Sequence, residues 1–511
     1  MRRCVSCGRR ASSNLMQRSE FFGTLAAAGA VGLSDPDLEA ASTPARLQRL
    51  RALRTAQAAR IPRRGIAPRT NGDDARYADR YYEGSYAKGL PHDDRGRVEP
   101  AAYRTYLAAL RGVALEALGR LASPPLFGLV AAVRDLAYEY EGDDATQFAV
   151  AAPAPLASET TAREMVEDYW MARARDVPFA RFAEDATIAA ASAELATSPA
   201  HVFRASGSAL AGPYISQFLY LDLVRDPAPP SPHIALFAVP RRDYLTTRDS
   251  LIQMQRHPAE PPAERDSRPR YIFTLRALAD YVSRYSEVIG NTASILALLP
   301  DEAKQSYFDP IEMTALAARA QAIAGSAVYF QKFMVHRRVR PEMYGLLVDR
   351  VHAGEALPIH SSVLHSAAVE ATQRANGNAL LPQVYPYGCP QHPSYPAAHA
   401  IISSANITIF KAFINDDMRF PQVVASNDDG SALVAQHETS LSLGGELDKL
   451  ASNYAFGRCA AGVHFRADCV AGLRLGEAAA LSVLRDRVRA APLRHGPFVV
   501  RTFDGTRLRI G

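Results

Sequence analysis

The chain has 511 residues, 48% hydrophobic and 22% charged. That is an ordinary globular mixture, long enough for one to three domains, and it excludes wholesale disorder. Lys and Arg number 58 against 53 Asp and Glu, a net charge of +5 that gives no argument for a nucleic-acid partner, and five cysteines exclude a disulfide scaffold.

Residues 1–42 read as a leader. Their first part is rich in Arg and Ser, and Cys4 and Cys7 form a lone CxxC without the two further ligands of a zinc site. The apolar run Phe21–Leu33 is too short to cross a bilayer but has the length of a signal-peptide core. Gln17-Arg18-Ser19-Glu20-Phe21-Phe22 is similar to a twin-arginine export signal with its first Arg replaced, and Ala40-Ala41-Ser42 offers small residues for cleavage. Export to a periplasm or the exterior is expected if the leader acts, and a cytoplasmic chain otherwise. No later stretch is apolar enough to span a membrane, so no membrane insertion of the mature chain is expected.

Residues 43–270 form an N-terminal helical region, with three-to-four spacing of apolar residues at 101–122, 125–140, 160–176 and 178–196. Pro-rich loops fall at 225–232 and 258–269. Residues 271–490 form a second helical bundle, with patterns at 272–299, 309–338, 361–374, 396–415, 443–458 and 464–490. Cys459 and Cys469 fall in its apolar stretches and read as small core residues. Residues 491–511 end the chain as two alternating runs around Asp504-Gly505, a β-hairpin. The fold class is therefore mainly α, in packed helical bundles with a small C-terminal β-hairpin.

Three segments carry chemistry. In Lys332…His336-Arg337-Arg338-Val339-Arg340-Pro341, Pro341 ends a helix. Lys332 and Arg340 lie about 80° apart around such a helix and face one pocket across two turns. Taken alone, the run is a solvated basic face. In His392-Pro393-Ser394-Tyr395-Pro396-Ala397-Ala398-His399, Pro396 suits the first turn of a helix, whose free N–H groups and dipole make an anion site beside His399. In Gly457-Arg458…Gly462-Val463-His464…Asp468, Gly462 breaks a helix, and His464 and Asp468 share a face at four-residue spacing. Together, Lys332, Arg340 and Arg458 supply charge for a tetrahedral oxyanion such as phosphate or vanadate, and the histidines can bind a central atom or move protons.

These motifs, in this order, resemble those of the vanadium-dependent haloperoxidases, in particular their bromoperoxidase branch, within the type-2 phosphatidate phosphatase superfamily. The likeness extends to Leu90-Pro-His-Asp-Asp94, Tyr169-Trp-Met171, Gly212-Pro-Tyr-Ile-Ser-Gln-Phe218 and the C-terminal hairpin, and covers roughly residues 65–511. It implies a double four-helix-bundle architecture, a homo-oligomer, vanadate as cofactor and no haem. It implies His464 as the vanadium ligand. Lys332, Arg340, Arg458 and the N–H of Ala398 then hold the vanadate oxygens, and His399 is the acid/base group. Lys332 polarises hydrogen peroxide, and His392 takes the place of the second histidine typical of bromoperoxidases. Bromide and iodide are then oxidised to hypohalous acid, which halogenates an organic acceptor. Asp468, Phe333 and Ser394 are expected around this set.

One departure stands out. Where the family motif has Ser-Gly before its histidine, this chain has Ala397-Ala398. Losing a hydroxyl bond to a charged group costs about 1.5–3 kcal/mol, so vanadate is expected to bind more weakly. A phosphomonoesterase working through a phosphohistidine at His464, or a non-catalytic homologue, are the alternatives.

Overall fold

A computed structural model describes residues 44–60, 69–110, 142–220, 235–284, 292–293, 296–297, 299–419, 422–437, 441–491 and 497–511. The leader at 1–42 with Cys4 and Cys7, the helix expected at 125–140 and the loop at 225–232 lie outside these residues.

The longer helices, in chain order, are α1 Pro44–Arg60, α2 Pro100–Leu110, α3 Glu159–Ala174, α4 Ala186–Glu194, α5 Arg248–Arg256, α6 Leu275–Arg284, α7 Pro310–Tyr329, α8 Pro341–His352, α9 Ala367–Asn376, α10 Ala398–Phe413, α11 Leu443–Ala460 and α12 Arg466–Ala490. Side-chain caps decide several starts. Ser158 accepts from Thr161 N at α3, Asp309 precedes Pro310 at α7, and Ser442 accepts from Gly445 N at α11.

The same caps correct the expected boundaries. The pattern at 178–196 is a short turn followed by α4, because Asp185 caps a new helix at Ala186. The pattern at 361–374 breaks where Ser366 caps α9. Helices α1, α5 and α8 were not anticipated. Pro341 does not end a helix: the helical stretch stops at His336, and Pro341 instead occupies the first turn of α8. The C-terminal hairpin forms as expected, with β3 Phe498–Arg501 pairing antiparallel with β4 Arg507–Ile510 in the register Phe498↔Ile510. A second small hairpin, β1 Val424–Ser426 with β2 Leu433–Ala435, was not expected.

Helices α10 and α12 pack on each other and each packs on both α7 and α11, and α6 lies against α11. A Cβ added at Gly457 would lie 2.9 Å from Val282 Cγ2, so glycine there admits α6 beside Arg458. The crossing of α10 and α12 is closer still. A Cβ at Gly472 would lie 2.6 Å from Ala397 O, and one at Gly476 would collide with Ile401 O and Ser404 Oγ. One connected core of buried side chains runs from Tyr77 to Ile510. Among the described residues no helix is long and apolar enough to cross a membrane.

Candidate active site

The three segments meet at one end of this bundle. After Tyr329 the chain of α7 loosens into a π-helical turn, Phe330–His336, and Arg337 adopts a left-handed conformation with φ 44°. Lys332 and Arg340 therefore do not lie on two turns of one helix. The reversal at Arg337 carries Arg340 back, with Arg340 itself extended (φ −89°, ψ 155°). Lys332 Nζ donates to the carbonyls of Pro393 at 2.6 Å and Ser394 at 2.8 Å. Arg340 donates to His392 O at 2.9 Å, Val463 O at 2.6 Å, His464 Nε2 at 3.0 Å and His392 Nδ1 at 2.9 Å. The first segment thus touches both others.

Arg458 lies near the end of α11. Its Nη1 donates to Tyr385 Oη at 3.1 Å, while its Nε is buried with no partner among the described residues. His399 is the second residue of α10, whose start has no side-chain cap. Pro396 is not in that helix. It follows Tyr395 through a cis peptide bond and precedes the helix by two residues. His464 likewise stands outside a helix, between α11 and α12, after Gly462 turns the chain with φ 82°. Its contact with Asp468 comes from this link and not from a shared helical face.

The basic residues are not a solvated face. Lys332 is 0% exposed, Arg340 1% and Arg458 2%. Among the described residues no carboxylate forms an ion pair with any of the three. Burial pushes the Lys332 ammonium well below its ordinary range, and the Arg340 charge adds to this. His399 is also held far down, first by burial and then by Arg458, Lys332 and Arg340. So is His392, by burial and then by Lys332 and Arg340. Like charges gathered out of water without counter-charge destabilise a fold, and an anion relieves them.

His464 faces the cations with one nitrogen and a carboxylate with the other. Nδ1 lies 3.0 Å from Asp468 Oδ2, and Nε2 accepts from Arg340. The network assigns the proton to Nδ1 and leaves the Nε2 lone pair toward the cations. Burial alone would raise the Asp468 carboxyl. The Arg338 charge and the bonds from His464 and Ser394 outweigh it and keep Asp468 ionised.

Known proteins are similar to this chain along most of its length. Residues 312–489 match the VCPO second helical-bundle domain. A vanadium-dependent bromoperoxidase of Ascophyllum nodosum is 29% identical over 83% of this chain and 86% of its own length. One of Corallina pilulifera is 27% identical over 88% and 95%. The homohexameric structure of the second vanadate-dependent bromoperoxidase of Ascophyllum nodosum superposes with a TM-score of 0.82, at 26% identity, over 92% of this chain and 91% of that one. The chain is similar to the vanadium-dependent haloperoxidases over most of its length.

Within this haloperoxidase fold, the surrounding residues sort themselves by what they touch. Ser394 Oγ donates to Asp468 Oδ2, so its hydroxyl is committed behind His464. Phe333 packs in a separate cluster with Tyr82, Leu90, Tyr103 and Tyr106 and stacks on Tyr329. Ala397 N donates to Asp468 O at 2.9 Å, which seats the start of α10 beside the start of α12. Arg338 was missed from the sequence. It is buried, and it donates to Asp468 Oδ1 at 2.7 Å and Glu164 Oε2 at 2.9 Å. The only signal for it was its place in the basic run between two residues of interest.

Proposed function

We propose that this chain is a vanadate-dependent peroxidase that uses hydrogen peroxide to oxidise bromide and iodide to hypohalous acid, which halogenates organic acceptors. The observation that carries the reading is the burial of Lys332, Arg340 and Arg458 with no carboxylate partner among the described residues, around a neutral His464 whose Nε2 lone pair faces them. The donor set fits a tetrahedral oxyanion. It offers three cations, the unpartnered Nε of Arg458, the uncapped start of α10 and an imidazole nitrogen.

In this reading Lys332, Arg340, Arg458 and the Ala398 N–H hold the vanadate oxygens, and His464 Nε2 binds the metal. Bound vanadate supplies Lewis acidity that activates hydrogen peroxide toward halide. Among the described residues the His399 ring has no hydrogen-bond partner, and its depressed basicity leaves it neutral near pH 7, ready to accept a proton from incoming peroxide. Lys332 Nζ, held by two carbonyls, orients its remaining proton. His392, fixed through Nδ1 by Arg340, favours bromide and iodide over chloride by its likeness to the bromoperoxidase motif. No haem takes part. The homohexameric relative supports a homo-oligomer, and the leader sequence supports export.

Bromination of a phenolic dye with bromide and hydrogen peroxide, with and without orthovanadate, tests the proposal. Vanadate-dependent turnover is expected. Its absence at saturating vanadate, with hydrolysis of a phenyl phosphate instead, would hand the pocket to the phosphatase reading.

A further inference from the structure

We propose that Arg338, backed by Glu164, is a positioning residue for His464 and acts through Asp468. Asp468 is fully buried, and among the described residues its carboxylate accepts four hydrogen bonds. Its Oδ2 takes Ser394 Oγ, His464 Nδ1 at 3.0 Å and Phe465 N at 3.0 Å. Its Oδ1 takes Arg338 Nη1 alone, at 2.7 Å. Arg338 is the cation that compensates this carboxylate, since Lys332, Arg340 and Arg458 make no ion pair with it.

Arg338 is itself held from three sides. Nη2 donates to Glu164 Oε2 at 2.9 Å, the guanidinium lies 4.1 Å over the Phe465 ring, and its carbonyl accepts from Ser394 N at 3.0 Å. Glu164 also accepts from Ala467 N at 2.5 Å, so α3 grips Arg338 and the start of α12 with one side chain. The geometry defines a line of contacts from Glu164 through Arg338 and Asp468 to His464 Nδ1. Its effect is to fix which ring nitrogen carries the proton and where the other points. Without Arg338, Oδ1 is a buried oxygen with no donor, and a carboxylate that turns to satisfy it draws Oδ2 off Nδ1. The ring then loses its orientation and its single tautomer.

This inference rests on the reading of His464 as the ligand to the oxyanion's central atom. The test therefore reads the ring and the anion separately. The full chain, labelled with 15N-histidine, is compared at one neutral pH as wild type, Arg338→Met, Arg338→Lys, Asp468→Asn and the double variant. The His464 resonance is identified by its loss in His464→Gln. The wild type is expected to show one neutral tautomer with the proton on Nδ1. Arg338→Met is expected to lose it and to bind orthovanadate about 10- to 100-fold more weakly. Arg338→Lys should keep the tautomer and most of the affinity. The double variant should be no worse than Asp468→Asn, because both changes break one line of contacts. If Arg338→Met does not fold, Glu164→Gln should move both readouts in the same direction by less. A lowered melting temperature with tautomer and affinity unchanged, or additive losses in the double variant, would overturn the proposal. A tautomer lost in Arg338→Met while no protein binds vanadate would uphold it and refute the oxyanion reading instead.

Discussion

Arg340 Nη1 donates to His464 Nε2 at 3.0 Å, so the imidazole lone pair and a buried guanidinium answer each other directly. Any group that binds through Nε2 takes the place of that hydrogen bond and frees an Arg340 N–H for the anion's oxygens. His464→Ala removes the lone pair but leaves the cations. Vanadate-dependent bromination should fall by about two orders of magnitude or more, while calorimetric titration still detects weak phosphate binding. Undiminished turnover in this variant would take His464 out of its assigned role.

Ala397 is the residue before α10, and it offers no side-chain cap. Ser394 does not substitute, because its hydroxyl is spent on Asp468. Ala397→Ser places an oxygen at the helix start, within the anion's reach. Orthovanadate affinity should rise about 10- to 100-fold, the equivalent of one charge-assisted hydrogen bond. Equilibrium dialysis of the two proteins decides it, and equal affinities would mean that the serine turns elsewhere.

Among the described residues Lys332 donates only to two main-chain carbonyls and sits with Arg340 and Arg458 in a site without a paired acid. Lys332→Met keeps the volume and removes one of the repelling charges. In buffer free of oxyanions its thermal midpoint should rise by about 2 °C, while vanadate binding weakens. Such opposite signs mark a charge kept for binding at the expense of stability. A lower midpoint together with unchanged affinity would make Lys332 a structural residue.

Acid should destabilise the protein before its carboxylates titrate. Burial lowers His92 to about 4, and burial with Arg337 and Arg338 nearby lowers His336 to about 3. His392, His399 and His464 are also depressed. An unfolded chain takes up protons at these sites below about pH 6.5, while the folded chain does not. Stability is therefore fully present above that pH and falls as the solution is acidified toward pH 4. Calorimetric scans in non-oxyanion buffers should show the midpoint dropping steadily between pH 7 and pH 4.5. A flat profile would mean that these rings ionise within the fold.

The motif segments were legible because each keeps its residues within a few positions of one another, and helix periodicity is a local property. What joined them was not. Spacing placed Lys332 and Arg340 on one helix, yet a π-helical turn and the left-handed Arg337 bring them together by reversing the chain. Spacing also made His464 and Asp468 neighbours on a helical face, whereas Asp468 caps the link that carries His464. Arg338 looked like one more surface arginine, because its partners Glu164 and Asp468 lie 174 and 130 residues away. Burial of such a run is a tertiary fact. The hairpin at Asp504-Gly505 was read correctly for the opposite reason, since its pairing is set by its own turn.

The crossing of α10 and α12 has a consequence for how this pocket ages. At Gly472 and Gly476 the atoms facing α12 are the carbonyls of Ala397 and Ile401, the Ala400 methyl and the Ser404 hydroxyl. The donors at the start of α10 and the imidazole before α12 are thus spaced by main chain against main chain. Such a joint has no adjustable part. The apolar core around it can exchange one side chain for another over long divergence, and the aperture between amide and imidazole keeps its width as long as those two glycines remain.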